Sequence, residues 1–108
     1  MKKVFLDYNA TTPLDPAVLE AMMPYLRERF GNASSIHSYG REAKAALDRA
    51  REQVASLLRA EPREIVFTSG GSEGANHVIK SVAFGLREKG SHLVTTKTEH
   101  ECVLESVR

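Results

Sequence analysis

Ile65-Val66-Phe67-Thr68-Ser69-Gly70-Gly71-Ser72-Glu73-Gly74-Ala75-Asn76 changes character twice within a few residues. A short β-branched and aromatic run, Ile65 to Thr68, reads as a buried strand. It stops at two adjacent glycines and resumes as a helical pattern carried by Ala75, Val78, Ile79, Val82, Ala83 and Leu86, which ends at Gly90. His92 to Thr96 then reads as a second strand. Strand, helix and strand of these lengths predict a βαβ unit with parallel strands and a right-handed crossover, so the fold class is α/β. The turn between strand and helix gathers backbone N–H groups and the positive end of a helix dipole, a combination that suits a bound phosphate.

Upstream of that unit the chain reads as loop and helix. Val4 to Leu6 is short and apolar, and Asp7 to Leu14 is polar with Pro13 and two threonines, which predicts extended chain and loop. Asp15-Pro16 has the form of an N-cap with Pro at the first helical position. Val18, Leu19, Met22 and Leu26 then recur at helical spacing until Gly31, with Pro24 expected to kink or divide the helix. Gly31 to Gly40 is a small-residue polar loop of the kind that tends to hold function. From about Glu42 to Leu58, Ala43, Ala46, Leu47, Ala50, Val54, Leu57 and Leu58 define an amphipathic helix, the strongest periodic signal in the chain.

Composition narrows the function classes. The chain has 108 residues, 42% of them hydrophobic, with fifteen basic and fourteen acidic residues for a formal net charge of +1. The charges are interspersed, so neither a nucleic-acid stripe nor a membrane-binding face is expected, and a small molecule is the favoured ligand. The apolar run at the start ends at Asp7, short of the roughly 7–15 residues of a signal peptide, which predicts a cytoplasmic location. Cys102 is the single cysteine, so there is no internal disulfide framework. The helical pattern after His100 has run about two turns when the sequence stops at Arg108, and two parallel strands leave both sheet edges open. The expectation is a single incomplete domain over 1–108: an N-terminal segment with helices in 1–60 and the start of an α/β sheet in 61–108. On this reading Met1 is a true start and the remainder of a larger protein follows Arg108.

The glycine turn is neither a Walker A loop, since no Gly-Lys-Ser/Thr follows, nor a Gly-x-Gly-x-x-Gly fingerprint. Two readings stand: a tight turn with Ser72 as a cap, or an anion cradle in which Gly71 admits close backbone approach and Ser72 contributes a hydroxyl. His100 falls beyond the end of the second predicted strand, where ligands of open α/β sheets collect. It reads either as a capping or solvated residue, or as a ring that stacks on a flat heteroaromatic ligand and exchanges a proton. His37, His77 and His92 show no metal-ligand spacing with one another or with Cys102, so no metal site is expected. Cys102 reads as a structural thiol. Lys80 falls in mid-helix, and Lys97, at a strand end, stays open as a Schiff-base candidate.

Four segments taken together resemble the cysteine desulfurases among the class V aminotransferase-like, pyridoxal-phosphate-dependent enzymes. They are Leu6-Asp7-Tyr8-Asn9-Ala10-Thr11-Thr12-Pro13, Phe30-Gly31-Asn32-Ala33-Ser34-Ser35-Ile36-His37, Ile65 to Glu73, and Thr98-Glu99-His100. The Thr-Ser-Gly form of the turn is similar to the iron–sulfur and nitrogen-fixation branch. Ala33 departs from the family, which usually has Pro there.

The resemblance implies the N-terminal portion of the large cofactor-binding domain of a fold-type I transferase. It implies pyridoxal 5'-phosphate as cofactor, with Gly71 and Ser72 on its phosphate and His100 stacked on its ring as a catalytic acid or base. It further implies a homodimer in which Asn9 to Thr12 and Asn32 to His37 border the substrate entrance. L-Cysteine would be the substrate, converted to L-alanine, with persulfide sulfur passed to an acceptor or iron–sulfur scaffold protein. The lysine, aspartate and mobile cysteine that complete the family's chemistry lie in later segments, and neither Lys97 nor Cys102 matches them, so this stretch alone is expected to be inactive. Alternatives are another class V enzyme, such as a selenocysteine lyase or aminotransferase, or a non-catalytic phosphate-binding module.

Overall fold

The computed structural model describes residues 3–108. They divide into two compact units, one ending at Ile65 and one running from Val66 to Arg108.

The first unit holds helix α1, Pro16–Arg27, and helix α2, Ser38–Leu58, followed by a 3-10 turn at Pro62–Glu64 that packs on α2. Asp15 caps α1 as its sequence implies, its Oδ1 accepting the Ala17 N–H at 2.8 Å, with Pro16 at the first helical position. Pro24 does not divide the helix. It falls near the C-terminal end, where the missing N–H costs one rung, and its own carbonyl accepts from Glu28 and Arg29 as the helix closes.

Helix α2 begins at Ser38, four residues before the helical spacing of its apolar side chains becomes visible. The extra turn comes from His37, which caps the helix by accepting the Gly40 N–H on Nδ1 at 3.3 Å. The preceding loop is fastened to this start. Asn32 Oδ1 accepts the Ser34 N–H at 2.9 Å, and the Asn32 carbonyl accepts the Ser35 N–H at 2.9 Å. Arg41 reaches back to the Ile36 carbonyl at 2.7 Å, and the Phe30 and Tyr39 rings stack at 5.3 Å. Gly40 is buried where a Cβ would collide with the Ser35 carbonyl oxygen and meet the Ser35 Cβ at 2.7 Å, so only glycine fits. At the far end Arg59 takes the left-handed conformation, φ 54° and ψ 40°, and the Ala60 N–H closes onto the Ala55 carbonyl at 2.9 Å.

The second unit holds helix α3, Gly71–Gly85, a 3-10 turn at Arg87–Lys89, and helix α4, Glu101–Ser106. Helix α3 packs on α4 and on the intervening turn. The predicted strands at 65–68 and 92–96 are not formed: among the described residues there is no β-ladder, and the βαβ unit is absent. A β-branched, apolar run becomes a strand only where another backbone lies about 4.8 Å away to exchange N–H and C=O groups with it. No described segment does so. Within these runs Val66 is 62% and Val94 85% exposed. Among the described residues Ala55 is the one fully buried apolar residue, and no helix is long and apolar enough to cross a membrane.

Candidate functional site

The second unit brings the turn and the histidine together. Ser72 and Asn76, one turn apart on α3, share a concavity of about 340 Å³ with His100, Glu101, Cys102, Glu105 and Ser106. The packing of α3 on α4 sets the first turns of α3 beside His100 and the helix it begins.

Helix α3 starts without a side-chain cap. Its N-cap is Gly70, and Ser72 occupies the second helical position rather than capping. The first rung of the ladder is the Gly74 N–H to the Gly70 carbonyl, 3.0 Å, so the N–H groups of Gly71, Ser72 and Glu73 precede it. A Cβ built on Gly70 or Gly71 meets nothing within 4 Å, so the space over the turn is open. These are the requirements for an anion held by backbone N–H groups at a helix N-terminus.

His100 caps α4, its Nδ1 accepting the Cys102 N–H at 3.2 Å. An accepting Nδ1 requires the neutral ring to carry its proton on Nε2, so the nitrogen away from the helix is the donor. His100 thus caps the helix, and its ring also lines the concavity. Cys102 is half-buried beside it, and its carbonyl accepts the Ser106 hydroxyl at 2.6 Å. Lys97, the open Schiff-base candidate, is not among the residues lining the concavity. Among the described residues no cluster of His, Cys, Asp and Glu has a metal-binding arrangement.

Glu73 and Asn76 were not singled out from the sequence. Glu73 Oε2 accepts both the Ser69 hydroxyl and the Ser69 N–H, each at 2.6 Å. The hydroxyl bond first, then the backbone bond, and to a smaller extent the charge of His77 one turn on, hold its carboxyl below the ordinary carboxylate range against a weak opposing effect of desolvation. The signal was present in the sequence as an acidic residue at the third helical position, where a side chain reaches back over the helix start. Asn76 was visible only as the position one turn after Ser72.

Residues 4–108 match the Aminotransferase class-V family, and the chain belongs to it. It is similar to a cysteine desulfurase of Rattus norvegicus, 56% identical across the whole chain and 24% of that relative. A cysteine desulfurase IscS of Dictyoglomus turgidum is 55% identical over 96% of the chain and 26% of its own length. A solved structure of a NifS-like protein shares the fold, with a TM-score of 0.87 and 42% identity over 98% of this chain and 29% of that one. The chain thus spans about a quarter of the length of the curated relatives it matches.

Proposed function

We propose that the chain supplies the phosphate anchor and the ring-stacking histidine of a fold-type I, pyridoxal 5'-phosphate-dependent cysteine desulfurase. The observation that carries this reading is the convergence of Ser72 and His100 on one concavity beside an uncapped helix start. Family membership and the cysteine desulfurase relatives support it.

The residues present fit the cofactor. A phosphate is small, anionic and rich in acceptors, and the open, glycine-flanked start of α3 offers it N–H donors and a dipole of the right sign. Gly71 and Ser72 would hold the phosphate, Ser72 adding its hydroxyl. When bound, the cofactor supplies an electron-withdrawing ring that weakens bonds around the α-carbon of an amino acid. The work of this chain is to seat and orient. The apolar face of the His100 ring covers one side of a flat heteroaromatic, its Nδ1 accepts the Cys102 N–H, and its Nε2–H is a hydrogen-bond donor to the ligand; for the ring to act as acid or base, Nδ1 must leave the cap and carry a proton itself.

In the complete protein the runs 65–68 and 92–96 are strands of its sheet, and 1–108 forms part of one domain with later chain. The exposure of Val66 and Val94 supports such covering. The complete protein is a homodimer that works in the cytoplasm, converts L-cysteine to L-alanine and hands persulfide sulfur to an acceptor or iron–sulfur scaffold protein. The fastened loop Asn32 to His37 and the segment Asn9 to Thr12 border its substrate entrance.

The test is to load the complete protein with pyridoxal 5'-phosphate, supply L-cysteine, and measure alanine and sulfide. Equimolar alanine and sulfide in the presence of thiol is the expected result. Turnover of selenocysteine alone, or amino-group transfer to a keto acid without sulfide, would assign a different class V reaction.

A further inference from the structure

We infer that Glu73 is a positioning residue that clasps the glycine turn into its anion-binding shape, an inference that rests on the proposed phosphate site. Its carboxylate is the only acidic group in the first turn of α3, close to where an anion would sit. An acidic side chain there would repel that anion unless it were directed elsewhere and screened. The structure directs it backward. One oxygen, Oε2, takes two donors from Ser69, the hydroxyl and the backbone N–H, each at 2.6 Å. The bonds span Gly70 and Gly71 and tie the residue before the turn to the third residue of the helix.

The need for such a clasp follows from the turn itself. Two consecutive glycines have more backbone freedom than any other pair, and every N–H they aim at a ligand must be ordered at an entropic cost. No neighbouring group lies within 4 Å of a Cβ position at Gly70 or Gly71. The turn is therefore held by its own side chains: Glu73 on Ser69 at one side, and the Thr68 hydroxyl on the Gly70 carbonyl, 3.2 Å, at the other. Holding the N–H groups of Gly71 and Ser72 before the anion arrives removes an ordering cost from binding. A single oxygen makes both contacts, so a neutral amide oxygen at that point can still accept them, though less strongly than the carboxylate whose charged form the two bonds favour. This separates Gln from Ala at position 73.

The experiment uses the complete protein, stripped of cofactor, and measures binding of inorganic phosphate and of pyridoxal 5'-phosphate, with amide exchange over 69–72. Glu73→Ala is expected to weaken both ligands about tenfold, the order expected for losing charge-assisted hydrogen bonds, and to speed exchange at Ser69. Glu73→Gln is expected to keep most of the wild-type affinity through its amide oxygen. Ser69→Ala, which leaves the helix untouched, is expected to fall between them, and it decides the matter if Glu73→Ala does not fold. Unchanged affinity in Glu73→Ala and Ser69→Ala, or equal losses in Gln and Ala at position 73, would overturn the clasp. Failure of the wild-type protein to bind either ligand would overturn the phosphate site beneath it.

Discussion

The His100 imidazole accepts the Cys102 backbone N–H on Nδ1 at 3.2 Å, which ties a proposed catalytic ring to the helix it begins. The bond divides the residue into two functions that substitution can separate. His100→Asn keeps a capping side chain and removes the ring, whereas His100→Ala removes both. In the complete protein, both variants are expected to lose on the order of 100-fold in desulfuration, the lower range for loss of a general acid or base. Only the alanine variant is expected to lose about 1 kcal/mol of stability as well. Turnover assays combined with denaturant unfolding check the split.

Ser72 is expected to contribute through its hydroxyl as well as its N–H. Ser72→Ala leaves the backbone donor in place, so cofactor affinity should fall by about tenfold without being abolished. Retention of pyridoxal 5'-phosphate on dialysis, followed by absorbance, measures this. Loss of catalysis with unchanged affinity would place the hydroxyl elsewhere.

The clasp on Ser69 carries a pH dependence whose sign follows from Glu73. Its carboxyl is held below the ordinary range, chiefly by the Ser69 hydroxyl, so the folded turn favours the charged form. The contribution is present above the ordinary carboxylate range and is lost as pH falls through the lowered folded value. Protection of the Ser69 amide, corrected for intrinsic exchange, should therefore hold from neutrality to moderately acid pH and drop below it. Glu73→Gln should remove that step, because its amide does not titrate.

Gly40 is expected to tolerate no side chain. A Cβ there meets the Ser35 carbonyl oxygen, the Ser35 Cβ and the Asn32 carbonyl, all within the fastened loop, and two of these atoms are backbone. Gly40→Ala should cost about 1–3 kcal/mol, the range for forced overpacking, and thermal unfolding of the complete protein measures it. Arg59→Gly runs the other way. It relieves a left-handed residue at the end of α2 and should gain about 0.5–1 kcal/mol in the same assay.

What was legible in the sequence had local causes. Asp15-Pro16 announces α1 because the cap and the proline act within one turn, and the structure starts the helix there. The glycine turn announces α3 for the same reason, with Gly71 its first residue. The beginning of α2 was missed because its cap is the imidazole of His37, a residue type that rarely signals a helix start. Glu73 was missed because its partner lies four residues back, across the glycines. The runs 65–68 and 92–96 have strand composition and no ladder, since pairing is decided by a neighbouring backbone that their own side chains do not encode. At the site, Ser72 and His100 could each be proposed from position, but their shared concavity is set by the packing of α3 on α4.

The cap at His100 also makes the ring's orientation a thermodynamic property of a six-residue helix. When the first turn of α4 frays, the Cys102 N–H leaves Nδ1 and the imidazole is released in the same event. A ligand that requires the ring in place therefore draws on its own binding free energy to keep that turn wound, and by mass action its concentration regulates the helix. Occupancy at the concavity and helicity of residues 101–106 are two readings of one equilibrium.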